Sequence, residues 1–176
     1  MEHILEDSKK ADVTILALGE PELWSGEAGC RSEITLPESQ CRLVKELFEN
    51  KIKTVVLLFN GRPLDLRSIV PYSDAIIEMW FPGTEGGNAA ADLLFGKVNP
   101  SGHLTMSFPY GSGQIPVYYN MGNTGRPKEL LEQEPRYKSQ YLNIPNEPLY
   151  QFGYGLSYTN STAESKVIHG MPMLRI

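Results

Sequence analysis

Three short apolar runs constrain this chain more than any other feature. They are Val13–Leu18 (VTILAL), Thr54–Phe59 (TVVLLF) and Ala75–Trp80 (AIIEMW), each six residues long. Every run stops at a turn signal: Gly19-Glu20, Asn60-Gly61 and the stretch PGTEGG. Runs of that length without polar alternation read as strands buried on both faces, the mark of a parallel sheet.

Helical patterns lie around them. Ile4, Leu5, Lys9 and Lys10 suit a helix over residues 1–11. PESQCRLVKELFEN opens with Pro37 at a first helical position and Glu38 in the first turn. Leu43, Val44, Leu47 and Phe48 then recur at helical spacing, and Asn50 offers a stop. Leu64–Val70 reads as a short helix broken by Pro71, and Asn88–Phe95 as a helix closed by Gly96. Leu104–Phe108 (LTMSF) would be a last strand. Strands alternating with helices predict the α/β class, a three-layer α/β/α sandwich on a mostly parallel sheet with right-handed crossovers. From Pro109 onward the chain is dense in Pro, Gly, Asn and Tyr and has no clear period. So long an irregular segment is uncommon in a compact domain unless it serves binding. Residues 160–176 read as a tail without an element of its own.

Several functions are excluded early. A net charge of −5 with no basic block argues against nucleic acid. No apolar run approaches the ~20 residues of a membrane helix. The opening MEHILEDSKKAD is polar and lacks the apolar core of a secretory leader. Two cysteines, Cys30 and Cys41, exclude a disulfide framework and leave a single bridge open. His3, His103 and His169 stand far apart, without Cys/His metal spacing, so no metal and no cofactor is expected. At 176 residues, 41% of them hydrophobic, the chain fits one domain with a real core.

The first apolar run feeds a long acidic loop, Ala17 to Pro37 (ALGEPELWSGEAGCRSEITLP). In open α/β sheets the carboxyl ends of the strands are where ligands bind. The loop gathers Glu20, Glu22 and Glu27 beside Trp24 and Arg31. Carboxylate, indole and guanidinium together are the materials of a sugar site. An indole face stacks on a sugar ring by burying its C–H surface, though Trp24 can equally pack against the loop. A neighbouring indole also desolvates a carboxyl and favours the protonated form that a general acid needs. Arg31 is a candidate sugar contact or a loop holder, and Glu20 is expected to fix the loop through backbone N–H groups. PGTEGG has no phosphate motif, and Glu85 would repel an anion there. Asp12, Asp65, Asp74 and Asp92 are poor nucleophile candidates, Asp65 being explained by helix capping. The tyrosines Tyr118, Tyr119, Tyr137, Tyr141, Tyr150, Tyr154 and Tyr158 are expected mainly to pack irregular loops.

WFPGTEGGNAAADLLFGKVNPSGHLTMSFP (residues 80–109) resembles the second half of the α/β sandwich domain of family 3 glycoside hydrolases. QIPVYYNMGNTGRP, EPLYQFGYGLSYT and NGRPLDL are similar to other segments of that family, in family order, so the resemblance runs through residue 159. Bacterial β-glucosidases are the nearest look-alikes. The resemblance implies a partial C-terminal α/β sandwich domain over 1–159, its sheet incomplete at the N-terminal edge. It also implies a missing N-terminal barrel that carries an Asp nucleophile, so this chain alone is expected to be an inactive fragment. Within the family's E-x-x-x-R pattern ahead of Leu-Pro, Glu27-Ala-Gly-Cys-Arg31 before Leu36-Pro37 makes Glu27 the acid/base. The implied substrate is an oligosaccharide or β-glucoside, hydrolysed at terminal β-glucosyl residues, and localisation stays open. The alternative is a non-catalytic doubly wound α/β module that binds a small ligand or partner protein.

Overall fold

The computed structural model describes residues 2–122, 125–126 and 137–159, with the backbone of two strands beyond them. Helix α1 (Glu2–Ser8) leads into strand β1 (Thr14–Gly19). Helix α2 (Glu38–Glu49), strand β2 (Thr54–Phe59), strand β3 (Ala75–Glu78) and helix α3 (Gly86–Leu94) follow. The sheet order is β1-β2-β3, all parallel, with Thr14 beside Thr54 and Val55 beside Ala75. The parallel α/β architecture expected from the sequence is the one formed. All three strands therefore present their carboxyl ends on one edge.

One sheet face holds the core. Leu16, Leu18, Val56 and Leu58 pack with Val44 and Leu47 of α2, and with Leu64, Leu66, Ile69 and Phe108 from the connections. Each such side chain contributes roughly 1.5–3 kcal/mol on burial. That stripe holds α2 in place, because Pro37, which stands at the N-cap rather than at the expected first helical position, supplies no side-chain cap. The helix ends where Lys51 turns left-handed (φ 59°), with Lys51 N–H donating to Phe48 O and Ile52 N–H to Leu47 O. Gly96 (φ 69°) closes α3 the same way, the usual reason for glycine just past a helix end.

The second sheet face corrects an expectation. VTILAL is not buried on both sides: Ile15 is 46% exposed and Ala17 also faces out. β1 stands at the sheet edge, where a neighbouring strand covers it on one side only. Central β2 meets the expectation better, with Leu57 buried as well as Val56 and Leu58. β3 stops at Glu78 rather than Trp80, because Trp80 leaves the extended region (φ 48°).

Two connections also differ. Leu64–Val70 is not a helix of the expected extent; a 3₁₀ turn spans Val70–Tyr72 and contains Pro71 in its first turn. A first turn needs no N–H donor from that residue, so proline starts the turn instead of breaking it. LTMSF forms no strand of the sheet. Leu104 and Phe108 pair instead with the closing segment: Phe108 and Tyr150 form an antiparallel bridge, and Leu104 N–H donates to Tyr154 O at 2.8 Å. Its partner lies so far along the sequence that local pattern could not reveal it.

The irregular segment is ordered by buried amides. Gln114, 2% exposed, donates to the carbonyls of Pro145, Asn146 and Glu147 and accepts from Tyr110 N–H. Tyr119 stacks on Phe152 with centroids 4.6 Å apart, Tyr150 leans on Tyr154, and Tyr158 Oη donates to Leu93 O at the end of α3. Within 160–176, read from sequence as a tail, strand β4 (Glu164–Ile168) pairs antiparallel with β5 (Met171–Arg175). Pairing of near neighbours closes only a short loop, so it does not need the patterned apolar face sought in the sequence. Residues 160–163, 169–170 and 176 of that tail, with His169 among them, and 123–124 and 127–136 of the preceding segment lie outside the described residues.

Candidate active site

The acidic loop leaves β1 at the carboxyl edge of the sheet. Gly19 is required there, since a Cβ would sit 1.9 Å from Phe59 O. The Gln40 side-chain amide straddles that glycine, its Oε1 accepting from Gly19 N–H (3.0 Å) and its Nε2 donating to Gly19 O (3.1 Å). The first turn of α2 is thereby tied to the end of β1. Glu20 N–H extends the ladder by one more bond, to Phe59 O at 2.9 Å.

Glu20 then turns inward, its side chain only 2% exposed. Its Oε1 accepts from Arg31 Nη1 at 2.9 Å; its Oε2 accepts from Ser25 Oγ at 3.1 Å and lies 3.4 Å from Arg62 Nε. Two cations around a buried carboxylate are what make its burial tolerable. The sequence reading gave Glu20 a structural role through backbone N–H groups; the partners are side chains, because backbone amides alone would leave a buried charge uncompensated. Arg62 also donates to the carbonyl of Trp24 and lies 3.4 Å from Ser25 Oγ. Arg31 donates to Thr35 O at 3.2 Å, and its guanidinium lies 3.8 Å over the Trp24 ring. Loop entry, loop exit and the segment after β2 thus meet at one carboxylate.

The tip between these flanks is different. A short 3₁₀ turn, Glu22–Trp24, carries the chain out. Gly26 adopts φ 148° and Ala28 φ 60°, with Gly29 N–H donating to Gly26 O at 3.2 Å. Glu27 sits between them, exposed and without a hydrogen bond or ion pair among the described residues. A non-glycine residue in the left-handed region stores up to about 1–2 kcal/mol, and such strain concentrates at functional loops. Cys30 is exposed and free.

Of the sequence-predicted residues, the structure brings Trp24 and Arg31 into contact and places Glu27 on the open turn beyond them. Arg31 covers one face of the indole, so any stacking partner must use the other. Arg31 itself uses Nη1 for both Glu20 and Thr35. Glu22 is exposed at the start of the 3₁₀ turn. Asp65 caps no helix, since none forms there; it accepts from Arg67 N–H in a local turn and also holds the Arg67 guanidinium. That hydrogen-bonded pairing raises the Arg67 pKa above its usual value. Arg67 and Asp65 line a shallow open cavity of about 230 Å³ with Glu33, Tyr110, Gln114 and Tyr141; Glu27 is not part of its wall. Among the described residues no group of three or more His, Cys, Asp or Glu side chains is arranged to hold a metal, and no helix is long and apolar enough to cross a membrane.

Sequence reasoning missed Arg62 and Gln40. Arg62 had a usable signal: a cation directly after a strand, on the edge where an acidic loop also emerges. Gln40 had none, since a polar residue in a helix's first turn is unremarkable.

Comparison with known proteins gives a consistent result. Residues 2–158 match the model of the glycosyl hydrolase family 3 C-terminal domain. A periplasmic beta-glucosidase of Salmonella typhimurium is 46% identical over 175 residues, covering 99% of this chain and 23% of the relative. A beta-xylosidase of Formosa agariphila is 38% identical over 152 residues, covering 86% of this chain and 20% of the relative. The crystal structure of a beta-glucosidase from Listeria innocua superimposes with a TM-score of 0.88 at 49% identity, over 94% of this chain and 23% of that one. This chain therefore spans about a quarter or less of the proteins it matches.

Proposed function

This chain belongs to the glycosyl hydrolase family 3 C-terminal domain family, and we propose that it is the part of a retaining β-glucosidase that carries the general acid/base, Glu27. The observation that carries the reading is the state of that residue. Among the loop carboxylates Glu20 is committed to two arginines, whereas Glu27, without a partner among the described residues, stands on a strained tip whose flanks are locked. A carboxyl that must give up and retake a proton needs a fixed backbone and a free side chain.

The reaction class supplies the rest. A retaining glycosidase works with two carboxyls ~5–5.5 Å apart, one a nucleophile and one an acid that becomes a base. Glu27 would protonate the departing glycosidic oxygen, then take a proton from the water that releases the sugar. Glu20 is too enclosed to be the second carboxyl, and we take the nucleophile, as the family resemblance implies, to lie in a region outside this chain. The same holds for the wall that would enclose Glu27. The exposed tip suits a cleft completed by another domain, with the open face of Trp24 as a sugar platform and Arg31 as its backing. Relatives point to β-glucosides: the Listeria enzyme has been solved with glucose and with laminaribiose.

Turnover of a nitrophenyl β-glucoside tests this reading. The chain alone should show none, since removing one member of a catalytic pair forfeits most of the rate enhancement. Joined to the remaining part of a family 3 β-glucosidase it should turn the substrate over, and Glu27→Gln should sharply slow that turnover, with release of the sugar becoming limiting. Turnover by the chain alone that disappears in Glu27→Gln would contradict the proposal.

A further inference from the structure

Beneath the loop anchor, two buried acceptors have no donor among the described residues. Glu78 ends β3, and its Oε1 accepts from Trp80 N–H at 2.9 Å, the bond that bends the chain into the left-handed conformation of Trp80. Its Oε2 is buried and without a partner. Asn60, 1% exposed, follows β2; its Nδ2 donates to Arg62 O at 2.7 Å, and its Oδ1 is likewise buried and without a partner. Glu78 lies beside Leu58 in the sheet, so Asn60 emerges next to the turn after Glu78. The Asn60 amide is close enough to act on the Glu78 carboxyl. An unmet buried acceptor costs about 1–3 kcal/mol, and native proteins seldom tolerate two side by side.

Amide orientation alone does not resolve this. If Asn60 is turned so that Nδ2 serves Glu78, its Oδ1 faces the carbonyl of Arg62 instead. One proton resolves it. We propose that Glu78 keeps its carboxylic proton in the folded protein and donates it to Asn60 Oδ1, so that a shared proton fixes Asn60 and the Arg62 segment that anchors the acidic loop. Each of these three groups is then served: Trp80 N–H by Oε1, Asn60 Oδ1 by the Glu78 hydroxyl, Arg62 O by Asn60 Nδ2.

Burial outweighs the rest of the electrostatic surroundings. Burial pushes the Glu78 carboxyl up to about 7, opposed by the Trp80 N–H and by the Asn60 amide; no charged side chain enters the balance. Glu78 is thus a positioning residue, and it acts on the anchor whatever reaction Glu27 takes part in.

The test uses this chain with ¹³C-labelled glutamate, assigned through Glu78→Gln. The Glu78 Cδ should titrate near pH 7, and the Trp24 indole N–H resonance should shift with the same midpoint. Folding should weaken as pH rises from the ordinary carboxyl range toward 7, because only the native state holds the proton there. Gln places an N–H where the proposal puts the O–H, so Glu78→Gln should fold and lose this dependence. The ratio of its folding constant to that of the unaltered chain should rise by about two orders of magnitude from pH 5 to 8. Glu78→Met, which has the bulk without the donor, should be less stable than Glu78→Gln at every pH. A Cδ midpoint at the ordinary carboxylate value, a Trp24 resonance indifferent to that titration, failure of Glu78→Gln to fold, or equal stability of the Met and Gln variants would each overturn the proposal.

Discussion

The flanks and the tip of the acidic loop use the same residue types to opposite ends. In the flanks a glutamate is buried, its charge shared between two arginines and a serine hydroxyl, and even the indole is capped by a guanidinium. In the tip, seven positions on, another glutamate has no partner among the described residues and sits between Gly26 and a left-handed Ala28. Burial separates them. A carboxylate that leaves water must be paired, and pairing fixes the backbone that carries it; one that stays in water keeps its freedom to react. A loop that needs a defined position and an uncommitted acid benefits from separating the two tasks.

Breaking the anchor should have the largest effect on folding. Glu20→Gln leaves two half-buried guanidiniums short of a counter-charge and should cost about 2–3 kcal/mol, read from the urea midpoint. Gly61→Ala attacks the same anchor sterically and removes no charge. Its Cβ would lie 2.6 Å from Ser25 Oγ and 2.8 Å from Ser25 Cβ, and although Phe81 can swing away, Ser25 is held by Glu20. About 1–2 kcal/mol is expected. At the tip, Glu27→Gln should change stability by no more than about 0.5 kcal/mol, as for a surface residue without partners. Comparable losses for Glu20→Gln and Glu27→Gln would erase the distinction between flanks and tip.

How far the sequence carried depended on whether each feature was local. The three apolar runs named β1, β2 and β3 because length and composition suffice to mark a strand. The open second face of β1 was not legible in the run itself, since edge and central strands share the same apolar composition; only the family resemblance, with its incomplete N-terminal edge, pointed there. Nor was the pairing of Leu104 and Phe108 with Tyr154 and Tyr150, which depends on a segment far along the chain. In the site, the loop and the materials Glu27, Trp24 and Arg31 were visible in one continuous stretch. The hub was not: Arg62 reaches Glu20 only because β1 and β2 lie side by side and end together. Glu78 was hidden for another reason. A single glutamate inside the apolar run AIIEMW carries no sign of its surroundings, and only the fold shows it enclosed.

The division of labour is tested most directly by the leaving-group dependence of Glu27→Ala, in the chain joined to the rest of a family 3 β-glucosidase. If Glu27 is the general acid, an alkyl or sugar leaving group should lose roughly 10²–10⁴-fold in kcat/KM. A dinitrophenyl group, which departs without a proton, should be nearly spared in that first step. Release of the sugar from the enzyme would then limit turnover, and azide, which needs no general base, should restore it. Equal losses for both kinds of leaving group, with no rescue by azide, would contradict the assignment of Glu27.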